Sequence, residues 1–264
     1  MWLKTGCQIA FDINIPTPFM LMLRPRSGAQ QWIELEKYIL TPSTPIVEFT
    51  DIYGNLCQRL IAPVGLFSIN TSVQVKTPEV IDIAPGAPFV PVQFLPDAVL
   101  SYLLPSRYCE SDVLVNVACE ITDGYLLGYD QVAAISQWIN TNIRYETQIN
   151  DYLVSATDVY QRRWGVCRDF AHLGIALCRS LCIPARMVVG YLHGLSPMDF
   201  HAWFEAYIDG RWYTFDATQQ TLKPGYVVIA YGRDAADVAV FNQFGPAIFP
   251  ISQNVFVEQL GNNC

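Results

Sequence analysis

The chain has 264 residues, of which 52% are apolar and 15% charged, and its formal net charge is -8. This composition excludes a disordered chain, and an acidic balance without a basic run excludes nucleic acid as a partner. The length suffices for one large domain or two small ones, each with a sizeable core.

The first part of the chain reads as β. Cys7, Ile9, Phe11 and Ile13 alternate with polar positions, as one face of a strand requires. Ile46 to Thr50 and Leu56 to Ile61 flank the turn Asp51-Ile-Tyr-Gly-Asn55 and form a predicted hairpin. Phe67, Ile69, Thr71, Val73 and Val75 alternate again over a longer strand, and prolines punctuate the runs. Short strands separated by turn signals predict a β-sandwich. It carries no acid–base constellation, so a structural or substrate-gating role is expected. The N-terminus, Met1-Trp-Leu-Lys-Thr-Gly-Cys-Gln, lacks the apolar core of a secretory signal. Leu3 to Cys7 faintly resembles a lipoprotein cleavage box with nothing hydrophobic before it, and an ordinary first strand is the stronger reading. No run reaches the ~18–20 apolar residues of a membrane span, so no membrane partner is expected.

Ala84 to Pro96, with prolines at 85, 88, 91 and 96, is the best linker, dividing a β domain at 1–96 from a second domain at 97–264. Asp97 to Leu104, Asp112 to Cys119 and Tyr129 to Thr141 are helical candidates, the last with Ile135 and Trp138 on its apolar stripe. The eight cysteines form no CxxC pair, and the three histidines are not spaced like zinc ligands. Structural thiols, a reducing cytoplasm and no metal or other cofactor are therefore expected, Cys167 excepted. Cys178 and Cys182 fall one helical turn apart on a predicted inward face.

The most informative stretch runs from Trp164 to Asp216. Gly165 lets the chain turn sharply before Cys167. From Cys167, the apolar positions Phe170, Leu173, Leu177 and Leu181 recur at helical spacing, and Pro184 stops the helix near Cys182. Cys167 thus lies in a first helical turn, where unpaired N–H groups and the helix dipole favour an anion. Asp169 in the same turn complements the dipole. Ala185 to Leu192 reads as a strand, and Phe200 to Ile208 and Arg211 to Phe215 as a hairpin around Asp209-Gly210. A two-residue turn there pairs Ile208 with Arg211, Trp203 with Asp216 and His201 with Thr218. His201 and Asp216 then become diagonal neighbours on one sheet face. Cys167, His201 and Asp216 are the residue types that nucleophilic thiol catalysis requires: nucleophile, base and orienting carboxylate.

The segments Arg163-Trp-Gly-Val-Cys-Arg-Asp-Phe-Ala-His-Leu173, Ile183-Pro-Ala-Arg-Met-Val-Val-Gly-Tyr191, Asp199-Phe-His-Ala-Trp-Phe-Glu-Ala-Tyr207 and Trp212-Tyr-Thr-Phe-Asp-Ala-Thr218 resemble the transglutaminase-like superfamily. The likeness is to its bacterial branch of transglutaminase-like cysteine proteases, and it is strongest from Asp123 to Ala239. Tyr231 to Ala239 is similar to the segment that often follows the Asp in this branch. Ala217 departs from the usual Pro after the Asp, altering backbone restraint rather than chemistry. The resemblance implies an α+β fold, with the β-sandwich-like domain followed by a papain-like core whose nucleophile starts a helix packed on an antiparallel sheet. It implies Cys167 as nucleophile, His201 as base and Asp216 as orienting acid. It also implies that the polar loop running to Asp151 edges a cleft. Vertebrate-type transglutaminases use an upstream Trp on the oxyanion; for Trp138, core packing is the preferred reading.

The expected activity is thiol-dependent hydrolysis of a peptide or protein amide through a thioester, with the Cys167 N–H as an oxyanion donor. The alternatives are transglutaminase-type acyl transfer to an amine, or a binding module that keeps the fold. No acidic loop is spaced like a calcium site. Of the rival residues, His172 points about 140° away from the thiol and belongs to the core or the back of the site. His193 falls in a solvated loop. Glu205 is either a partner behind the site or a domain-boundary residue. Trp164 either lines the cleft or packs under the helix.

Overall fold

The computed structural model describes residues 1–28, 30–146 and 154–261. The sequence-predicted loop running to Asp151 falls largely outside them. In chain order the strands are β1 (Trp2–Ile13), β2 (Thr17–Leu21), β3 (Trp32–Thr41), β4 (Val47–Thr50), β5 (Leu56–Ala62), β6 (Gly65–Lys76), β7 (Arg144–Tyr145), β8 (Trp164–Gly165), β9 (Ala185–Leu192), β10 (His201–Ile208), β11 (Arg211–Phe215), β12 (Tyr226–Gly232), β13 (Phe241–Gln243) and β14 (Ser252–Gln259). The helices are α1 (Asp97–Leu100), α2 (Val115–Ile121), α3 (Tyr129–Asn142), α4 (Ala156–Arg162) and α5 (Cys167–Ser180).

Two four-stranded sheets, ordered β14-β1-β6-β3 and β13-β2-β5-β4, face each other. The alternating apolar positions of β1 and β6 supply one inner face, and the two strands pair from Trp2 opposite Lys76 to Ile13 opposite Gly65. Phe11 meets Phe19 and Phe241 across the layer, both at 5.2 Å between ring centroids, and Phe19 meets Phe67 at 6.4 Å. Such tilted and edge-on contacts are the favoured geometries for aromatic cores. The predicted sandwich is therefore present. β13 and β14, drawn from beyond residue 240, complete its two sheets against β2 and β1.

The third sheet is antiparallel, with order β11-β10-β9-β12. Its β10–β11 hairpin turns on Asp209 (φ 49°) and Gly210 (φ 81°), the two positive φ values that a tight hairpin turn needs. The register runs from Ile208 opposite Arg211 to Phe204 opposite Phe215, as the two-residue turn predicts. Helix α5 packs on the face carrying Phe204. A Cβ on Gly174 would lie 2.5 Å from the Phe204 ring, so only glycine permits this approach. Helix α3 joins the same layer through Tyr129, whose ring contacts Tyr213 and Phe215.

Helix α5 ends one residue past Arg179, and Cys182 takes a left-handed conformation (φ 59°). The Cys182 N–H bonds the Arg179 carbonyl and the Ile183 N–H bonds the Cys178 carbonyl, both at 3.0 Å, the pattern that satisfies a helix C-terminus. This geometry corrects one expectation. Cys178 is buried, but Cys182 lies beyond the helix and is exposed.

The proline-rich stretch at 84–96 does not run free. Ala87 O accepts the Tyr129 N–H at 3.0 Å, and Phe89 donates its N–H to Leu127 O at 3.2 Å. The free edge of the third sheet, on β12, is covered by the sandwich. The Gln31 side chain bonds both the N–H and the carbonyl of Val228 at 2.8 Å. Asn55 does the same for Tyr231, at 2.8 and 2.7 Å. These two amides flank the bulge in edge strand β12 and occupy ladder groups that would otherwise be open.

Placing a valine at Gly174 forces the Phe204 ring off its seat. Gly174→Val is expected to destabilise the protein by about 1–3 kcal/mol, read as a lower urea midpoint at unchanged slope.

Candidate active site

Cys167 is the first residue of α5 and is partly exposed. Its position is fixed by Asp169, which is 2% exposed. The Asp169 carboxylate accepts the Val166 N–H at 3.1 Å and an Arg162 guanidinium N–H at 2.8 Å. Arg162 in turn donates to Trp164 O at 2.7 Å and lies over the Trp164 ring at 3.8 Å. Asp169 thus does more than complement the dipole: it ties the segment before Cys167 to the helix that follows. Gly165 is required, as expected, because it has no Cβ to clash: its φ is not positive, but a Cβ there would sit 2.7 Å from the Asp169 Cβ.

His201 opens β10 and is 2% exposed. Its Nε2 lies 2.6 Å from Asp216 Oδ2. Asp216 follows β11, and its Oδ2 also accepts the Tyr226 hydroxyl at 2.9 Å. Its Oδ1 accepts the Thr218 N–H at 3.0 Å and the Thr218 hydroxyl at 2.7 Å. The adjoining Ala217 carbonyl accepts the Asn140 side-chain amide from α3 at 2.9 Å, anchoring this turn without a proline. With Nε2 engaged, Nδ1 is the nitrogen left for the thiol, and it has no close hydrogen-bond partner of its own. Burial pushes the imidazole down. The hydrogen bond to Asp216 and the carboxylate's charge, with a contribution from Cys167 close by, outweigh burial and raise His201 to about 10. Burial likewise pushes the Asp216 carboxyl up, but hydrogen bonds from His201, Thr218 and Tyr226 and the His201 charge hold it below the usual carboxylate value. The pair is therefore ionised at neutral pH.

The expected sharing of a face is met in part. His201 and Trp203 lie on the same face, and their rings stack at 6.0 Å. Helix α5, however, covers the opposite face, under Phe204. Cys167 and His201 meet where the helix begins and the strand begins, rather than through the face of the sheet.

The rival residues fall elsewhere. His172 is fully buried and stacks on Tyr108 at 5.3 Å, and its Nε2 accepts the Ala235 N–H at 3.1 Å. Burial drives it down to about 3, so it stays neutral. His193 is half-buried and packs beside Gly225. Glu205 is fully buried and accepts two bonds from Arg186, at 2.8 and 2.6 Å. The Arg186 guanidinium is sandwiched between Trp212 and Tyr231, at 4.1 and 3.8 Å. This cluster adjoins Tyr53 and Gln31 of the sandwich, which favours the boundary reading of Glu205. Trp138 stacks on Tyr160 at 5.9 Å, with the Arg163 guanidinium 4.9 Å from its ring. Among the described residues no group of three or more His, Cys, Asp or Glu could hold a metal ion, and no helix is long and apolar enough to cross a membrane.

One contributor to the site, Tyr226, and one neighbour of its helix start, Tyr145, escaped the sequence reading. Tyr226 sits on β12, which carries no alternation to announce it. Tyr145 lies on β7, which pairs in parallel with β8 and sets Tyr145 opposite Gly165.

The sequence signature described as the transglutaminase-like superfamily matches residues 115–217. A crystal structure of a candidate cysteine protease from Cytophaga hutchinsonii is 40% identical, covers 100% of this chain and 92% of its own, and superposes with a TM-score of 0.91. The chain belongs to the transglutaminase-like superfamily. An uncharacterized Mycobacterium leprae protein is 27% identical over 234 residues, covering 82% of both chains. An uncharacterized Mycobacterium tuberculosis protein is 33% identical over 115 residues, 38% of this chain and 37% of its own. The superfamily assignment accounts for the expected α+β architecture, with α5 laid on an antiparallel sheet.

The ionised pair sets a pH dependence. Raised His201 contributes stability that is complete below the ordinary histidine value of 6.5 and is lost as pH rises towards about 10. Lowered Asp216 contributes stability present above the ordinary value of 3.8 and lost as pH falls through its depressed one. The urea midpoint of the wild type is expected to fall between pH 7 and 10. Asp216→Asn should be less stable at pH 6 and nearly flat over that span. A flat wild-type profile would contradict the charged pair.

Proposed function

We propose that the protein is a thiol-dependent amide hydrolase that uses Cys167 as nucleophile, His201 as acid and base, and Asp216 to orient the imidazole. The observation that carries this reading is the 2.6 Å contact between His201 Nε2 and Asp216, which reserves the other ring nitrogen for Cys167 at a helix start. Membership of the superfamily and the likeness to a candidate cysteine protease support it.

The chemistry follows from these positions. The Cys167 thiolate attacks the amide carbonyl carbon, and the carbonyl electron pair moves to oxygen. The tetrahedral adduct collapses, the C–N bond breaks, and His201 Nδ1–H protonates the departing amine. A thioester remains. Neutral Nδ1 then takes a proton from water as the water oxygen attacks the thioester carbon. The acid leaves, and the proton held by His201 restores the thiolate–imidazolium pair. Throughout, Asp216 accepts the Nε2–H and supports the ring's charge. An amine in place of water in the second step would give transamidation. The hydrolytic outcome is favoured here by the protease-like relative.

Cys167→Ala is expected to lower amide hydrolysis by about 10⁴-fold or more while leaving the far-ultraviolet spectrum unchanged. Survival of activity in that variant would overturn the nucleophile assignment. Iodoacetamide at pH 6 should label Cys167 well ahead of the exposed Cys119 and Cys182, with the modified residue read by peptide mass spectrometry. Equal labelling of all three would favour a binding module that retains the fold.

A further inference from the structure

The face of the third sheet away from α5 carries a second site. Between that face and residues 77–82, which follow β6, lies a cavity of about 240 Å³. Its walls include Trp203, Trp212 and Tyr226 from the sheet, with Val80 and Ile81 from the facing segment. Three of its polar side chains are engaged: Gln31 by the main chain of Val228, Tyr226 by Asp216, and Asp82 by Arg211 at 2.7 Å. Two others are not. The Trp203 indole N–H and the Thr77 hydroxyl are buried and have no hydrogen-bond partner among the described residues. Trp203 is 1% exposed and Thr77 4%, and the Thr77 N–H is tied to Met1 O at 2.9 Å. Leaving a buried donor unpaired is costly, so two beside one cavity call for an occupant.

We infer that this cavity is a binding site for a small, uncharged, planar molecule bearing a carbonyl, whose oxygen accepts from the unpaired donors of Trp203 and Thr77. Aromatic side chains on one side and aliphatic ones on the other suit a flat ring. A cavity of ~150 Å³ takes one benzene, so this one holds a ring with a small substituent. Both orphaned groups can donate, which requires an acceptor. The one charged group among the described residues lining the cavity, Asp82, is neutralised by Arg211, so nothing there calls for an ion. The Trp203 ring stacks on His201 at 6.0 Å and meets Tyr226 at 4.9 Å, and Tyr226 holds Asp216. An occupant is thus one side chain away from the imidazole and from its carboxylate. Packed against both rings, it favours the arrangement in which they are seated and so primes the thiol. The site itself does not rest on the reading of Cys167 as nucleophile; this effect does.

Acetophenone has the required shape and acceptor, and no bond that an amide hydrolase cleaves. In nitrogen–proton correlation spectra the Trp203 indole resonance is expected to move downfield and to saturate at millimolar acetophenone. Thr77→Val keeps the side-chain shape, removes the hydroxyl and should weaken binding about 3–10-fold. Ethylbenzene, which has the shape without the acceptor, should bind about threefold or more weakly and leave the resonance in place. Absence of saturation would mean that water alone occupies the cavity, and would overturn the site. Equal binding of ethylbenzene, or undiminished binding by Thr77→Val, would overturn it too, by leaving the apolar walls as the only contacts. At saturation, alkylation of wild-type Cys167 by iodoacetamide should quicken by about 2–5-fold. An unchanged or slower rate would overturn the link to His201 and leave the site standing. A Cys167 that does not react at all, with acetophenone bound at Trp203, would sink the nucleophile assignment and the link with it, but not the site.

Discussion

The site depends on one buried carboxylate. Asp169 holds the amide just ahead of Cys167, receives the guanidinium of Arg162, and presses against a residue that must be glycine. A charge 2% exposed to solvent is stable only when its lone pairs are occupied, and here they are met from both sides of the turn. The path of the chain into α5 is therefore over-determined. Arg162 reaches Asp169 from the end of α4, whose own start is fixed by Ser155 and Asp158 bonding each other's backbone N–H groups. The cysteine at the helix start is thus held by the helix before it as well as by its own.

The second half of the site is built by the sheet. His201 and Asp216 are brought together by hairpin register, and each is then secured from a third element: Asp216 by Tyr226 of β12, and the turn after it by Asn140 of α3. The strand that carries Tyr226 is itself held by Gln31 and Asn55 from the sandwich. A continuous chain of contacts therefore links the sandwich to the carboxylate behind the imidazole. The sandwich also closes the free edge of the third sheet.

Local rules made much of this readable in advance. A two-residue turn at Asp209-Gly210 leaves one register, and period-2 alternation then carries His201 towards Asp216 without any structure. Helix α5 was legible because its apolar positions recur at helical steps and Pro184 ends it. The unread parts lack local signals. β7 and β8 are two residues each, too short for any periodicity, so Tyr145 gave no hint of its place. β3 runs with mostly exposed or half-buried residues and a bulge after Ile33, which blurs its alternation. β12 carries a bulge as well, which hid Tyr226. That the missing Cβ of Gly165 makes room for Asp169 was not legible, because a close approach between atoms, unlike a turn, leaves no mark in the sequence around it. The resemblance to a known family supplied what spacing could not: that the helix start and the strand start come together.

The pairing of β14 with β1 has a consequence for how the protein is made. Thr5 and Phe256 are bonded across 251 residues of sequence. During synthesis from the N-terminus, β1 can dock on β6 early, but its outer edge stays unpaired until β14 has left the ribosome. The helices and the third sheet are synthesised while that edge is open, and an open edge is an invitation to a neighbouring nascent chain. The first strand can thus be closed only after the segment that carries the helices and the third sheet has been made.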